Sequence, residues 1–155
     1  EKIVGSITGG VSLRFATAYG LSPVMRTDLL MNHLTMQAVK TGRLSIYEPE
    51  AHRTFIHVSD MAKAFLFALD NYESMACKAW NVGDESQNLT KRDICLKLKN
   101  LLPELYLDFL MEGKDPDARD YAVSYEKLRS LGYRIEIPLD DGMSELIRAF
   151  SHFQD

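Results

Sequence analysis

The run Arg53-Thr54-Phe55-Ile56-His57-Val58-Ser59-Asp60-Met61-Ala62-Lys63-Ala64 constrains the fold more than any other stretch of this chain. Its first half is apolar and β-favouring and its second half is helix-favouring. No glycine, proline or polar spacer separates the two, so a strand opens directly into a helix. From Ser59, a helix-capping residue type, Met61, Ala64, Phe65, Ala68 and Leu69 recur at i, i+3, i+4, i+7 and i+8, which is one apolar stripe.

The alternation of strand and helix patterns continues on both sides, and it predicts an α/β architecture. Residues 11–17 read as a buried strand of a parallel sheet. Residues 27–41 read as a helix with Leu30, Leu34 and Ala38 on one face, ended by Gly42. Leu44 to Tyr47 is a short strand, Glu48 to His52 a loop, and Ala79 to Val82 a strand that turns at Gly83-Asp84. Thr90 and Asp93 make a capping-box start, with Asp in place of Glu, for a helix that carries Ile94, Leu98, Leu101 and Leu102 to Pro103. Tyr106 to Leu110 is a strand, residues 112–120 a charged loop, and Tyr121 to Val123 a brief pairing segment. Ser124 caps a short helix that stops at Gly132, and Met143, Leu146, Ile147 and Phe150 share one face of the last helix. No repeat or linker interrupts the chain, so residues 1–155 read as one unit.

Composition excludes several function classes. Of 155 residues 46% are hydrophobic, enough for a core, and a net charge of −4 argues against a broad nucleic-acid surface. No apolar run approaches the roughly 18 residues that span a membrane. Cys77 and Cys95 have no ligand-like spacing, and the simplest reading is a reduced, cytoplasmic protein.

Arg53 is the first candidate for chemistry. A guanidinium fork suits bidentate grip on a pyrophosphate, and Phe55, two residues on, can pack against a base or sugar. A surface arginine at a strand end fits the same spacing. Asp28, Leu29 and Asn32 lie at a helix start, where backbone donors and a side-chain amide suit a base. They fit equally a terminal charge and a solvated amide. Arg119, between Asp117 and Asp120, is either an anion ligand or part of a solvated ion-pair cluster. His52 and His57 are poorly spaced for a metal, and His57, Ser59 and Asp60 are too close in sequence to form a triad. Trp80 and the scattered methionines read as core.

Four segments, in order, resemble the NAD-dependent nucleotide-sugar epimerase/dehydratase family of extended short-chain dehydrogenases/reductases. They are Leu13-Arg14-Phe15-Ala16-Thr17-Ala18-Tyr19-Gly20, Met25 to Asn32, Arg53 to Ala64, and Asp115 to Ser124. The resemblance implies that Arg53 and Arg119 contact the nucleotide diphosphate, with Phe55 nearby, and that the Asp28, Leu29 and Asn32 region closes over the base. Phe15, Thr17 and Tyr19 fall where that family brings nicotinamide and substrate together. His57 and Asp60 are implied to be structural, the aspartate being favoured by the helix macrodipole.

The family's cofactor loop and its catalytic tyrosine-lysine pair have no counterpart here. Gly5, Gly9 and Gly10 have the wrong spacing for a dinucleotide loop, and no tyrosine has a lysine four residues later. The expectation is the carboxyl-terminal part of a Rossmann-like NAD(P)-binding fold with its small substrate subdomain. The cofactor half is missing, and Glu1 to Val4 ends the helix that carries the tyrosine and lysine. NAD then belongs to the parent enzyme, the nucleotide-diphosphate sugar is the ligand, and this chain alone is inactive. A strand torn from a parallel sheet exposes an edge and apolar surface, so self-association is expected. The rival expectation is a non-catalytic nucleotide-sugar-binding or protein-interaction module.

Overall fold

Parallel pairing dominates the strands, as expected of α/β crossovers. The computed structural model describes residues 1, 9–110 and 119–152. The readings made for Glu1 to Val4 beyond the first residue, for Gly5 and for residues 112–118 of the charged loop lie outside them. The elements in order are β1 (Val11–Phe15), β2 (Thr17–Tyr19), α1 (Leu30–Thr41), β3 (Arg43–Tyr47), β4 (His52–His57), α2 (Val58–Asp70), α3 (Tyr72–Met75), β5 (Lys78–Val82), β6 (Asn88–Thr90), α4 (Lys91–Leu101), β7 (Tyr106–Leu110), α5 (Glu126–Ser130) and α6 (Leu139–His152). β1 pairs with β5, β2 with β4 and β3 with β7, all parallel, while β6 runs antiparallel to β4. Ala16 N donates to Val82 O at 3.0 Å, so the path from β1 to β2 leaves β5 and passes to β4.

β4 opens into α2 without a spacer, as its sequence requires. The cap is His57, whose Nδ1 accepts from Ser59 N at 3.3 Å, and not Ser59 itself. The helix expected from residue 27 starts at Leu30, after a turn, and ends with Gly42 at φ 63°, a left-handed conformation that costs glycine little. The capping box at Thr90 and Asp93 forms in both directions. The segment from Tyr121 to Val123 makes hydrogen bonds to His52 and Asn88 but forms no strand.

Two cores flank β4. One joins α1, α4 and α6 over Tyr19, Leu44 and Phe55, and the other joins α2, β5 and α5 around Ile56, Trp80 and Tyr125. Phe55 and Ile56 serve opposite cores because side chains alternate along a strand. Full burial of each large apolar side chain contributes about 1.5–3 kcal/mol.

The apolar stripe of α2 is only partly covered. Ala64 and Ala68 are buried, but Phe65 is 55% and Leu69 71% exposed. They face the half-buried Val11, Leu13 and Phe15 of β1 across a hollow of about 370 Å³, with the Phe15 and Phe65 rings 5.3 Å apart. Among the described residues β1 pairs only with β5. No helix among them is long and apolar enough to cross a membrane.

Candidate functional site

The start of β4, the loop before it and the start of α4 form the floor of a polar cavity. The loop is strapped down by three backbone bonds: Ala51 N to Glu48 O (3.1 Å), Lys91 N to Ala51 O (3.2 Å) and Arg92 N to Pro49 O (2.9 Å). Glu48 holds a left-handed φ of 50°, strained for a residue with a Cβ. This strapping holds the Lys91 backbone against Ala51, two residues before Arg53.

The cavity, about 250 Å³, is lined by Asp28, Leu30, His33, Leu34, Gln37, Ser45, Ile46, Tyr47, Arg53 and Lys91. Arg53 is 2% and Lys91 1% exposed, and both reach it. Arg53 Nη1 donates to His52 O at 2.9 Å, and Lys91 Nζ donates to Tyr47 O at 3.2 Å. The carboxylate at the rim, Asp28, is exposed and engaged by Arg26 at 2.5 Å, whose guanidinium holds it below the ordinary carboxylate range. Two buried cations on a concave wall with apolar flanks are suited to an anionic group that carries a flat or apolar body.

The expected site residues divide. Arg53 and Asp28 line the cavity, and Leu29 precedes the first turn of α1 beside it. Arg119 is exposed next to Asp120, whose carboxylate accepts from His52 N at 2.8 Å and lies 3.2 Å from His52 Nδ1. That anchor brings the segment of Arg119 alongside the residue before Arg53. The His52 backbone N–H, and then its ring, lower the Asp120 pKa.

Phe55, Asn32 and Tyr19 do not face the cavity. Phe55 is fully buried, edge-on to Tyr19 at 6.5 Å. Asn32 is spent on the backbone: its Oδ1 accepts from Gly20 N (3.2 Å) and its Nδ2 donates to Arg26 O (3.0 Å), which fixes the turn before α1. Tyr19 is fully buried against His57, 5.3 Å between ring centroids, and burial pushes its phenol pKa up. Thr17 is half-buried on β2, and Phe15 packs in the apolar hollow beside α2.

His57 and Asp60 are structural. Because His57 Nδ1 accepts from Ser59 N, its Nε2 carries the proton and donates to Glu145 at 3.0 Å. Asp60, fully buried, accepts from Glu136 N (2.9 Å) and Ile137 N (3.2 Å). Sequence reasoning passed over Lys91 and Tyr47. The available signal was a lysine in the first turn of a helix, where the macrodipole disfavours a cation.

No glycine-rich loop among the described residues joins a strand to a helix, and Tyr19 is sealed in the core. No cluster of His, Cys, Asp or Glu among them could hold a metal ion.

Residues 8–83 match the NAD dependent epimerase/dehydratase family model, a stretch that contains Arg53 and Asp28 to Asn32 but ends before Lys91 and Arg119. UDP-glucose 4-epimerase of Thermotoga maritima superposes with a TM-score of 0.76 at 20% identity, over 92% of this chain and 46% of that one. UDP-glucuronic acid 4-epimerase of Bacillus cereus, solved with UDP-glucuronic acid and NAD, gives 0.74 at 22% identity, over 92% and 45%. The fold is that of the NAD-dependent epimerases and dehydratases. An uncharacterized protein of Schizosaccharomyces pombe is 29% identical over 132 residues, 72% of this chain and 36% of that protein. The chain thus spans about a third of that relative and about half of the matching structures.

Proposed function

We propose that this chain is the substrate-binding, carboxyl-terminal part of an NAD-dependent nucleotide-sugar epimerase or dehydratase, and that its polar cavity holds the nucleotide diphosphate. The observation that carries the reading is Arg53: a guanidinium 2% exposed, at the floor of a cavity, inside the matched segment. A fork in that setting suits bidentate grip on a phosphate. Arg119, on the segment anchored beside His52, approaches from a second loop, and Asp28, next to Leu29 in the chain, borders the space left for the base.

In this reading the general base lies outside the described residues. The described tyrosines with strongly raised pKa values, Tyr19, Tyr125 and Tyr133, are buried core residues, with Tyr125 pushed up to about 12 by burial. NAD and the proton-transferring residues belong, in this proposal, to an amino-terminal half of the parent. The edge of β1 that has no strand beside it among the described residues, and the hollow beside Phe65 and Leu69, support that attachment. The chain alone is therefore inert toward nucleotide sugars. In the parent, the cofactor supplies reversible hydride transfer to and from the sugar, and the part played here is to fix the diphosphate and orient the sugar. Placement in the cytoplasm belongs to the same proposal, supported by Cys77 and Cys95 being free.

Calorimetric titration of the chain with UDP tests the assignment. Binding is expected, with a loss of roughly 10-fold or more in Arg53→Met, the size of a lost charge-assisted contact. No binding of UDP, GDP or dTDP by the folded chain, or equal binding by Arg53→Met, would overturn it. Sugar-nucleotide turnover by the purified chain would overturn its inertness.

A further inference from the structure

We propose that the exposed ridge of α2 is a homodimer interface, covered by the same ridge of a second copy of this chain laid antiparallel across a two-fold axis. The proposal stands apart from the diphosphate reading above and uses no residue of the polar cavity.

α2 is apolar on nearly every side. Of its 13 residues, Val58–Asp70, only Ser59, Asp60, Lys63 and Asp70 are polar. Ala64 and Ala68 turn into the core shared with β5 and α5. A second stripe, Ala62, Phe65, Leu66 and Leu69, recurs at i, i+3, i+4 and i+7 and faces outward, with Phe65 55%, Leu66 62% and Leu69 71% exposed. Tyr72, 47% exposed, extends the ridge just past the end of the helix. A helix that is hydrophobic all round belongs in an interior.

Area and charge identify the cover. A large side chain buries about 150–250 Å² when fully enclosed, so these four exposed residues offer about 100 Å² each, or about 400 Å² per copy. With Ala62 and the flanking charged residues, a two-fold pair of ridges buries about 1,000 Å² in total, the lower bound for a specific interface. That area fits a weak dimer that forms at micromolar concentration. Lys63 and Asp70 are seven residues apart, two turns, and so share one flank of the ridge. In an antiparallel pair the same flank of each helix meets. With the two-fold axis beside Leu66, each Lys63 stands level with Asp70 of the second copy, and a parallel pair loses this match. Lys63 is bonded to Glu136 in its own chain, and its three ammonium donors allow both contacts.

On that flank lies a groove of about 400 Å³, lined by Lys63, Leu66, Phe67, Asp70, Tyr133 and Arg134. Its charges, Lys63 and Arg134 against Asp70 and Glu136, cancel, so it favours neither an anionic nor a cationic partner. It takes the Leu66 side chain of the second copy, and the exchange is reciprocal, as a two-fold interface requires.

The test is sedimentation velocity of the full chain from about 2 to about 200 μM, with the dimer fraction expected to rise across that range. Leu66→Glu sets two carboxylates close together across the axis and is expected to weaken the dimer by roughly 10-fold or more. Leu66 is exposed in the single chain, and Leu66→Gln replaces this variant if its melting differs from wild type. Asp70→Lys, which faces Lys63 of the second copy, is expected to weaken the dimer roughly 3- to 10-fold, and Asp70→Lys with Lys63→Glu to restore it to within about 2-fold of wild type. A wild type that stays monomeric across the range, or that grows into open-ended aggregates, overturns the proposal, as does a dimer unchanged by Leu66→Glu or Leu66→Gln. Failure of the charge exchange to restore the dimer overturns the antiparallel arrangement.

Discussion

Replacing Asp60 tests the structural account of the strand-to-helix junction. Asp60 sits in the first turn of α2, fully buried, and its two carboxylate oxygens accept from the backbone of Glu136 and Ile137 at 2.9 and 3.2 Å. The chain then runs directly into α6, whose Glu145 holds His57. A hydrogen bond to a charged group contributes about 1.5–3 kcal/mol, so two give about 3–6. The donor amides are only part-buried and regain water once the carboxylate is gone, so the lower end applies to Asp60→Ala, about 3 kcal/mol. Asp60→Asn keeps one acceptor and turns an NH2 toward the other amide, for a loss of about 1.5–3 kcal/mol. Trp80, the single tryptophan and 4% exposed, reports unfolding by fluorescence. With a urea slope of about 2 kcal/mol/M, the Asp60→Ala midpoint falls by about 1.5 M. Asp70→Ala, on the exposed end of the same helix, is the control and stays within about 0.5 kcal/mol. A loss below about 1 kcal/mol in Asp60→Ala would refute the tether.

Three further outcomes follow from the packing. Gly142→Ala places a Cβ 2.6 Å from Tyr19 Cε2 and 3.1 Å from His57 Cδ2; both rings are buried, so it destabilises by about 1–3 kcal/mol, where the same change in an open helix would stabilise, and thermal melts give the sign. The Asp93 carboxyl is held below its ordinary value, first by the Thr90 hydroxyl and then by the Thr90 backbone N–H. A depressed folded pKa means that this contribution is complete above the unfolded value, about 4, and is lost as pH falls through the lower folded value. Thr90→Ala removes about 1 kcal/mol of capping at neutral pH and flattens that acid dependence, read from urea midpoints between pH 6 and pH 3. Phe65→Glu with Leu69→Lys replaces the exposed part of the α2 stripe, so it lowers self-association in sedimentation and the binding of a hydrophobic dye; a monodisperse wild-type monomer that binds no dye would remove the basis for this prediction.

The fold was legible because periodicity and caps are local. The β4–α2 junction, Gly42, the Thr90 box and the inward face of the last helix are all written within a few residues of where they act. The site was less legible because burial is not local. Arg53 was found from its residue type at a strand mouth. Phe55 was placed with it because two residues share a strand face, yet that face turns into the core one step further along. Asn32 has the side chain of a base ligand and uses it on Gly20 and Arg26. Lys91 carried a signal, a cation at a helix start, but that signal does not say what the side chain faces. The Tyr47 carbonyl and the cavity wall shared with Arg53 are its surroundings, and they depend on strand register across 36 residues, which is not readable from composition.

Under the proposed function, binding chemistry and stability meet in one strand, β4. Its residues alternate between two cores, Phe55 toward one and Ile56 toward the other, so both faces are sealed beyond its mouth. His57 closes the far end through the α2 cap and Glu145. A strand fixed on both faces and at its exit has little freedom at its entry, and Arg53 is that entry. The buried guanidinium is therefore held in place before any ligand arrives. Such preorganisation lets an arginine bind an anion without first losing side-chain entropy. The same argument places Lys91, whose backbone is bound to Ala51 and whose ammonium is bound to Tyr47. Lys91 is thus anchored by the end of β3 and by the loop that leads into β4. A substitution in β4 that loosens its packing should thus weaken diphosphate binding without touching the cavity, whereas one in the exposed α2 stripe should not.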